Sequence, residues 1–115
     1  MSLQEIIFTL TPQDGYETIA KDWSHTGVSG SGDLEVLLKR KDAPDADIKI
    51  TTPVRGFDEI WKAVVSRAVA EACVGGVSIE INDNNATPFV AAMRLKQGFI
   101  EAKMEAKAAK GGGGK

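Results

Sequence analysis

The chain has 115 residues, 43% hydrophobic and 26% charged, with a formal net charge of −2. Such size and composition suit one globular domain with a single core, and the mixed charge excludes the basic footprint of a nucleic-acid binder. One cysteine and one histidine exclude an internal disulfide, a zinc set and a convincing catalytic triad.

Residues 5–10 alternate, with Ile6, Phe8 and Leu10 on one side, as in a strand with one buried face. The start, MSLQEIIFTL, lacks the charged head and long apolar stretch of a signal peptide, and no apolar run reaches the ~20 residues of a membrane span. A cytoplasmic protein without membrane contact is expected. Residues 11–33 lose the alternation and hold Pro12, Gly15, Gly27, Gly30 and Gly32, which predicts mostly loop. A loop of that length inside a small domain is expected to be functional or mobile. His25 falls in it and reads as a loop residue.

Residues 34–40 alternate again, with Leu34, Val36 and Leu38 on one face. After the turn KDAPDAD, residues 46–51 place Ile48 and Ile50 on one face. Two strands and a short turn predict an antiparallel hairpin. The period then changes. Phe57, Ile60, Trp61, Val64, Val65, Ala68, Val69 and Ala72 recur at steps of three and four, an amphipathic helix with Trp61 in its core stripe. Gly75 and Gly76 are expected to end it in a left-handed turn. Cys73, late in this helix, reads as a small buried hydrophobe.

Residues 77–82 alternate once more, with Val77, Ile79 and Ile81 facing one way. Thr87 followed by Pro88 predicts an N-cap and the first helical residue of a second helix, running to about Ala109. Phe89, Ala92, Met93, Phe99, Ile100 and Met104 are the candidates for its inner side. The domain spans residues 1–110, and GGGGK at 111–115 reads as a flexible tail. The order β, long loop, β, β, α, β, α predicts an α+β fold: a small mixed sheet with two helices on one face. The helix at 57–72 crosses over to make the strand at 77–82 parallel to that at 46–51.

One segment could carry chemistry: Gly27-Val28-Ser29-Gly30-Ser31-Gly32-Asp33-Leu34-Glu35. Its glycines let a bulky group approach the backbone, and its serines offer hydroxyls. It lacks the third glycine and the helix of a dinucleotide fingerprint, and it lacks the elbow of a serine hydrolase. From the residues alone, a flexible linker and an exposed serine modified by another enzyme both stay open.

The run Val28-Ser29-Gly30-Ser31-Gly32-Asp33-Leu34-Glu35-Val36-Leu37-Leu38 closely resembles the segment around the modified serine in malonate decarboxylase acyl carrier subunits. A second block, Ile79 through Pro88 followed by Arg94-Leu95-Lys96-Gln97-Gly98-Phe99, agrees with the same family. The resemblance runs from about residue 5 to residue 103. The citrate lyase acyl carrier, of the same broader family, is the nearest alternative. An unmodified scaffold domain and a small enzyme using Ser31 or Cys73 as nucleophile stay open beside it.

The resemblance implies a non-catalytic carrier subunit. Its serine, Ser31 by position and Ser29 as second choice, would bear a 2'-(5''-phosphoribosyl)-3'-dephospho-CoA arm through a phosphodiester. Acetyl and malonyl thioesters would ride on this phosphopantetheine-type group while malonate is decarboxylated to acetate. The implied partners are the acyltransferase subunit, the decarboxylase subunits, a prosthetic-group transferase and a malonyltransferase. The serine precedes a strand, unlike the helix-start serine of the four-helix acyl carriers. Asp33 and Glu35 read as solvated polar residues, with contact to the loading enzyme or steering by charge open beside that, and carry no site claim.

Overall fold

The chain folds as the alternation predicts, into strands backed by two helices. The computed structural model describes residues 3–113 apart from Lys21 and Ser29, with side chains to Ala102. In chain order the elements are β1 (Gln4–Leu10), β2 (Trp23–Gly27), β3 (Asp33–Arg40), β4 (Ala46–Thr52), α1 (Asp58–Ala72), β5 (Val77–Asn84) and α2 (Pro88–Gly113). They make one five-stranded mixed sheet in the order β1-β4-β5-β3-β2. Both helices cover one face, so the fold class is α+β as expected.

The parallel pair forms as the crossover argument requires, with Ala46 opposite Val77 and Ile50 opposite Ile81. The expected β3–β4 hairpin does not form. β5 lies between them, antiparallel to β3 and parallel to β4. The five residues between β3 and β4 bridge two strand spacings, about 10 Å, which is within their reach. They also close on the start of β5: the Lys41 amide donates to the Gly76 carbonyl at 3.0 Å, and the Gly76 amide donates to Pro44 at 2.8 Å.

Residues 11–33 contain more structure than a loop. β2 pairs antiparallel with β3, from Trp23 opposite Lys39 to Gly27 opposite Glu35, so His25 is a strand residue. Upstream, Glu17 bridges to Val74 and Ile19 is buried in the core. Strand β2 escaped the pattern because its inward positions, Ser24 and Thr26, are polar.

The core is built from inward faces: Leu34, Val36 and Leu38 of β3, Ile48 and Ile50 of β4, Val77, Ile79 and Ile81 of β5. From α1 it receives Trp61, Val65, Ala68 and Val69, while Phe57 and Ile60 at the head of the expected stripe are exposed. The left-handed residue ending α1 is Cys73 (φ 51°), before the glycines, and its side chain is only partly buried. Its carbonyl is held by the Glu17 amide.

Helix α2 starts as predicted, with the Val90 amide donating to Thr87 Oγ1 at 3.2 Å. Its inner face is Ala91, Leu95, Gly98, Phe99 and Ala102. Of the expected inner residues only Phe99 is buried; Phe89, Ala92, Met93 and Ile100 are exposed along a groove shared with α1. Met104 lies outside the described side chains. The two apolar stripes of this helix compete, and the sheet selects the one that lets Gly98 approach Thr26. The helical backbone continues to Gly113, beyond the expected stop near Ala109.

Candidate functional site

The glycine-serine segment is the tip of the β2–β3 hairpin. The Asp33 amide donates to the Gly30 carbonyl at 3.0 Å, closing a four-residue turn with Ser31 at its first corner and Gly32 at its second. Gly32 is left-handed (φ +76°) and Ser31 is not, the pattern of a type II turn, which favours glycine at that second corner. The Gly32 amide also donates to the Asn84 carbonyl at 2.7 Å, tying the turn to the end of β5. The Ser31 side chain is exposed. A side chain at Gly32 would meet nothing within 4 Å, and one at Gly30 only the Val28 methyl at 3.8 Å, so the space around Ser31 is open. Ser29, the second candidate, lies outside the described residues.

At the turn end of this hairpin, helix α2 contributes Arg94. Arg94 Nε donates to Asp33 Oδ1 at 3.0 Å and Nη2 to Oδ2 at 2.7 Å, a two-pronged ion pair. The third nitrogen, Nη1, donates to Gln97 Oε1 at 3.0 Å. Asp33 Oδ1 further accepts the Leu34 amide at 2.7 Å. These donors, Arg94 first and the Leu34 amide second, hold the Asp33 carboxyl down at about 2, against an ordinary value of 3.8. Because the folded value is depressed, the stability from this contact is fully present above pH 3.8 and is lost as pH falls through the folded value near 2. Following the Asp33 carboxyl by NMR should therefore give a midpoint near 2, moving towards 3.8 in Arg94→Gln. A midpoint unmoved by that substitution would rule out Arg94 as the cause.

On the open face of the sheet, Glu35 is fixed as well. Its Oε2 lies 2.9 Å from His25 Nε2 and its Oε1 accepts from Asn82 Nδ2 at 2.9 Å. Both contacts favour the carboxylate, His25 the more, and Glu35 is shifted below its ordinary value. Asp33 and Glu35, read as solvated polar residues, are both bonded within the fold, Asp33 to α2 and Glu35 across strands. Cys73 sits at the other end of the sheet, where Val77 opens β5, whereas Ser31 adjoins Asn84 at its close. Eight residues of strand separate the two ends, roughly 25 Å, so they cannot share a site. Among the described residues no three His, Cys, Asp or Glu side chains gather as a metal site would need, and no helix is long and apolar enough to cross a membrane.

Sequence reasoning singled out Ser31 as the candidate and gave no role to Arg94, whose partner is 61 residues away. The only local sign of its role is Gln97 one turn later. Gly27, read as one loop glycine among several, is the second missed residue. It is left-handed (φ +85°), and a side chain there would overlap the Leu34 carbonyl and lie 3.5 Å from the Arg94 Cδ.

A sequence profile described as the acyl carrier, malonate decarboxylase delta subunit (MdcD), matches residues 21–102. The malonate decarboxylase acyl carrier protein of Malonomonas rubra is 56% identical over 80 residues, 69% of this chain and 71% of that protein. Its counterpart from Burkholderia cepacia is 44% identical over 75 residues, 65% of this chain and 69% of that one. A chain in the crystal structure of a Pseudomonas malonate decarboxylase hetero-tetramer in complex with malonate aligns with a TM-score of 0.70 at 31% identity, covering 89% of this chain and 99% of that chain.

Proposed function

Since the chain belongs to the malonate decarboxylase delta-subunit family of acyl carrier proteins, we propose that Ser31 is its point of covalent attachment. The group attached is 2'-(5''-phosphoribosyl)-3'-dephospho-CoA, joined through a phosphodiester. The observation that carries this reading is the exposed Ser31 hydroxyl at the corner of a closed turn, with open space at Gly30 and Gly32. A nucleotide-sized substituent and the active site of a loading enzyme both need that clearance.

When bound, the arm supplies a terminal thiol that carries the acyl group as a thioester, the form that makes the adjacent carbanion accessible on loss of carbon dioxide. The chain's own residues present and hold. The hairpin fixes the origin of the arm, and tethering there raises the local concentration of acyl group at each partner site. In the decarboxylation cycle no residue of this subunit performs acid–base or nucleophilic chemistry; it is a carrier and not an enzyme. Its partners are the acyltransferase and decarboxylase subunits of the complex, with a prosthetic-group transferase and a malonyltransferase acting on it beforehand. This cycle runs in the cytoplasm.

The test is intact mass and fragment mapping of protein made together with its loading enzymes. The expected result is a nucleotide-sized phosphodiester adduct whose fragment ions place it on Ser31. An adduct on Ser29 would move the site by two residues. An unmodified chain, with the loading enzymes shown to be active, would leave an unmodified scaffold as the better account.

A further inference from the structure

We propose that Arg94 is a positioning residue for attachment at Ser31, acting on the serine through Asp33. This rests on Ser31 being the attachment point. Asp33 closes the turn, since its amide bonds Gly30 across Ser31 and Gly32. The Arg94 fork takes both carboxylate oxygens of that same residue, at 3.0 and 2.7 Å, and its third nitrogen is steadied by Gln97. The pair is mostly shielded, with the Arg94 and Asp33 side chains 26% and 18% exposed. Shielding and two-point geometry set it apart from the exposed, entropy-limited ion pairs elsewhere on this surface.

The stem of Arg94 also passes the other end of the hairpin loop. A Cβ on Gly27 would lie 3.5 Å from Arg94 Cδ. One side chain of α2 therefore bonds the residue that enters β3 and passes beside the residue that leaves β2, at the base from which Ser31 projects. Attachment forms a bond from Ser31 Oγ to phosphorus. The hydroxyl proton passes to a base of the loading enzyme, and the anhydride bond that activates the arm at its 5''-phosphate breaks, its oxygen leaving with the departing phosphate group. Such a displacement needs the attacking oxygen held close and in line. A clamped turn delivers Ser31 in one orientation, where a slack one would have to be ordered at each encounter.

The experiment is steady-state loading of the full-length protein by its prosthetic-group transferase, comparing wild type with Arg94→Gln, Asp33→Asn, Arg94→Lys and Arg40→Gln. Arg40 is a control, pairing with Asp22 and the Ala20 carbonyl at the far end of β3. Arg94→Gln and Asp33→Asn are expected to lower kcat/KM for loading about tenfold or more, as misplacement of a reacting group does. Arg94→Lys should fall between them and wild type, because one ammonium cannot reproduce the fork. Arg40→Gln should load like wild type. The heteronuclear NOE of the Gly32 amide should drop in Arg94→Gln and stay unchanged in Arg40→Gln, a readout independent of any enzyme.

Wild-type loading by Arg94→Gln would overturn the proposal, as would an equal loss in Arg40→Gln, which would reduce the effect to general stability. Faster loading of Arg94→Gln would overturn it too, in favour of a slack loop. Failure of wild type to load at Ser31 is a separate outcome, seen before any Arg94 variant is made, and it would remove the underlying attachment reading.

Discussion

A decarboxylase reconstituted with Ser31→Ala in place of this subunit should turn over malonate at the level of the complex with no carrier. Alanine removes the only oxygen through which a phosphodiester could form at that corner. No neighbouring hydroxyl can substitute without moving the arm's origin. The loss should be at least about 10²-fold, the lower end of what tethering alone contributes, because the variant has no arm at all. The fold should be indifferent, with stability within about 0.5 kcal/mol of wild type, because Ser31 is exposed and its backbone is not left-handed. Activity assayed with matched amounts of assembled complex separates the two effects. Retained turnover, with the arm absent by mass, would show that catalysis does not pass through this residue.

Gly27→Ala should be far more damaging than the same change at the other left-handed glycine of this hairpin, Gly32. Gly27 is left-handed, and a Cβ there would overlap the backbone carbonyl oxygen of Leu34, which cannot rotate away as a side chain could. Strained backbone costs about 1–3 kcal/mol and the forced displacement of a packed neighbour a similar amount, together about 2–6 kcal/mol. The neighbouring change Gly32→Ala is the comparison. Its φ of +76° is equally left-handed, but nothing lies within 4 Å, so only the backbone strain of about 1–3 kcal/mol applies. Urea denaturation of both variants measures the difference. Equal destabilisation would mean that the close approach at Gly27 relaxes without cost. The hairpin loosened by Gly27→Ala should also load poorly, because the clamp from Arg94 passes beside that position.

Much of this architecture could be read along the chain. Alternation located β1, β3, β4 and β5 by their aliphatic residues. The change to steps of three and four located α1, and Thr87-Pro88 marked the start of α2. The crossover length predicted the parallel β4–β5 pair. The Gly-Ser-Gly-Asp run, with the blocks Ile79–Pro88 and Arg94–Phe99, pointed to the carrier family by resemblance. These are local signals, because backbone period, capping and turn chemistry depend on residues a few places apart.

What remained illegible depends on which distant surface each element meets. Periodicity states that one face of α2 is buried, but Phe89, Met93 and Ile100 compete with Leu95 and Phe99 for that place. The sheet surface around Thr26 and Leu38 settled it. Alternation likewise states that β3 and β4 are strands without naming their neighbours, and the insertion of β5 between them is a long-range pairing. β2 is a strand because β3 offers it an edge, although its own residues carry no apolar alternation. Arg94 and Asp33, 61 residues apart, acquire their roles only when α2 is laid across the hairpin. A residue's preferred backbone shape is encoded within a turn or two of the chain, whereas its partner is chosen by packing, which is a property of the whole fold.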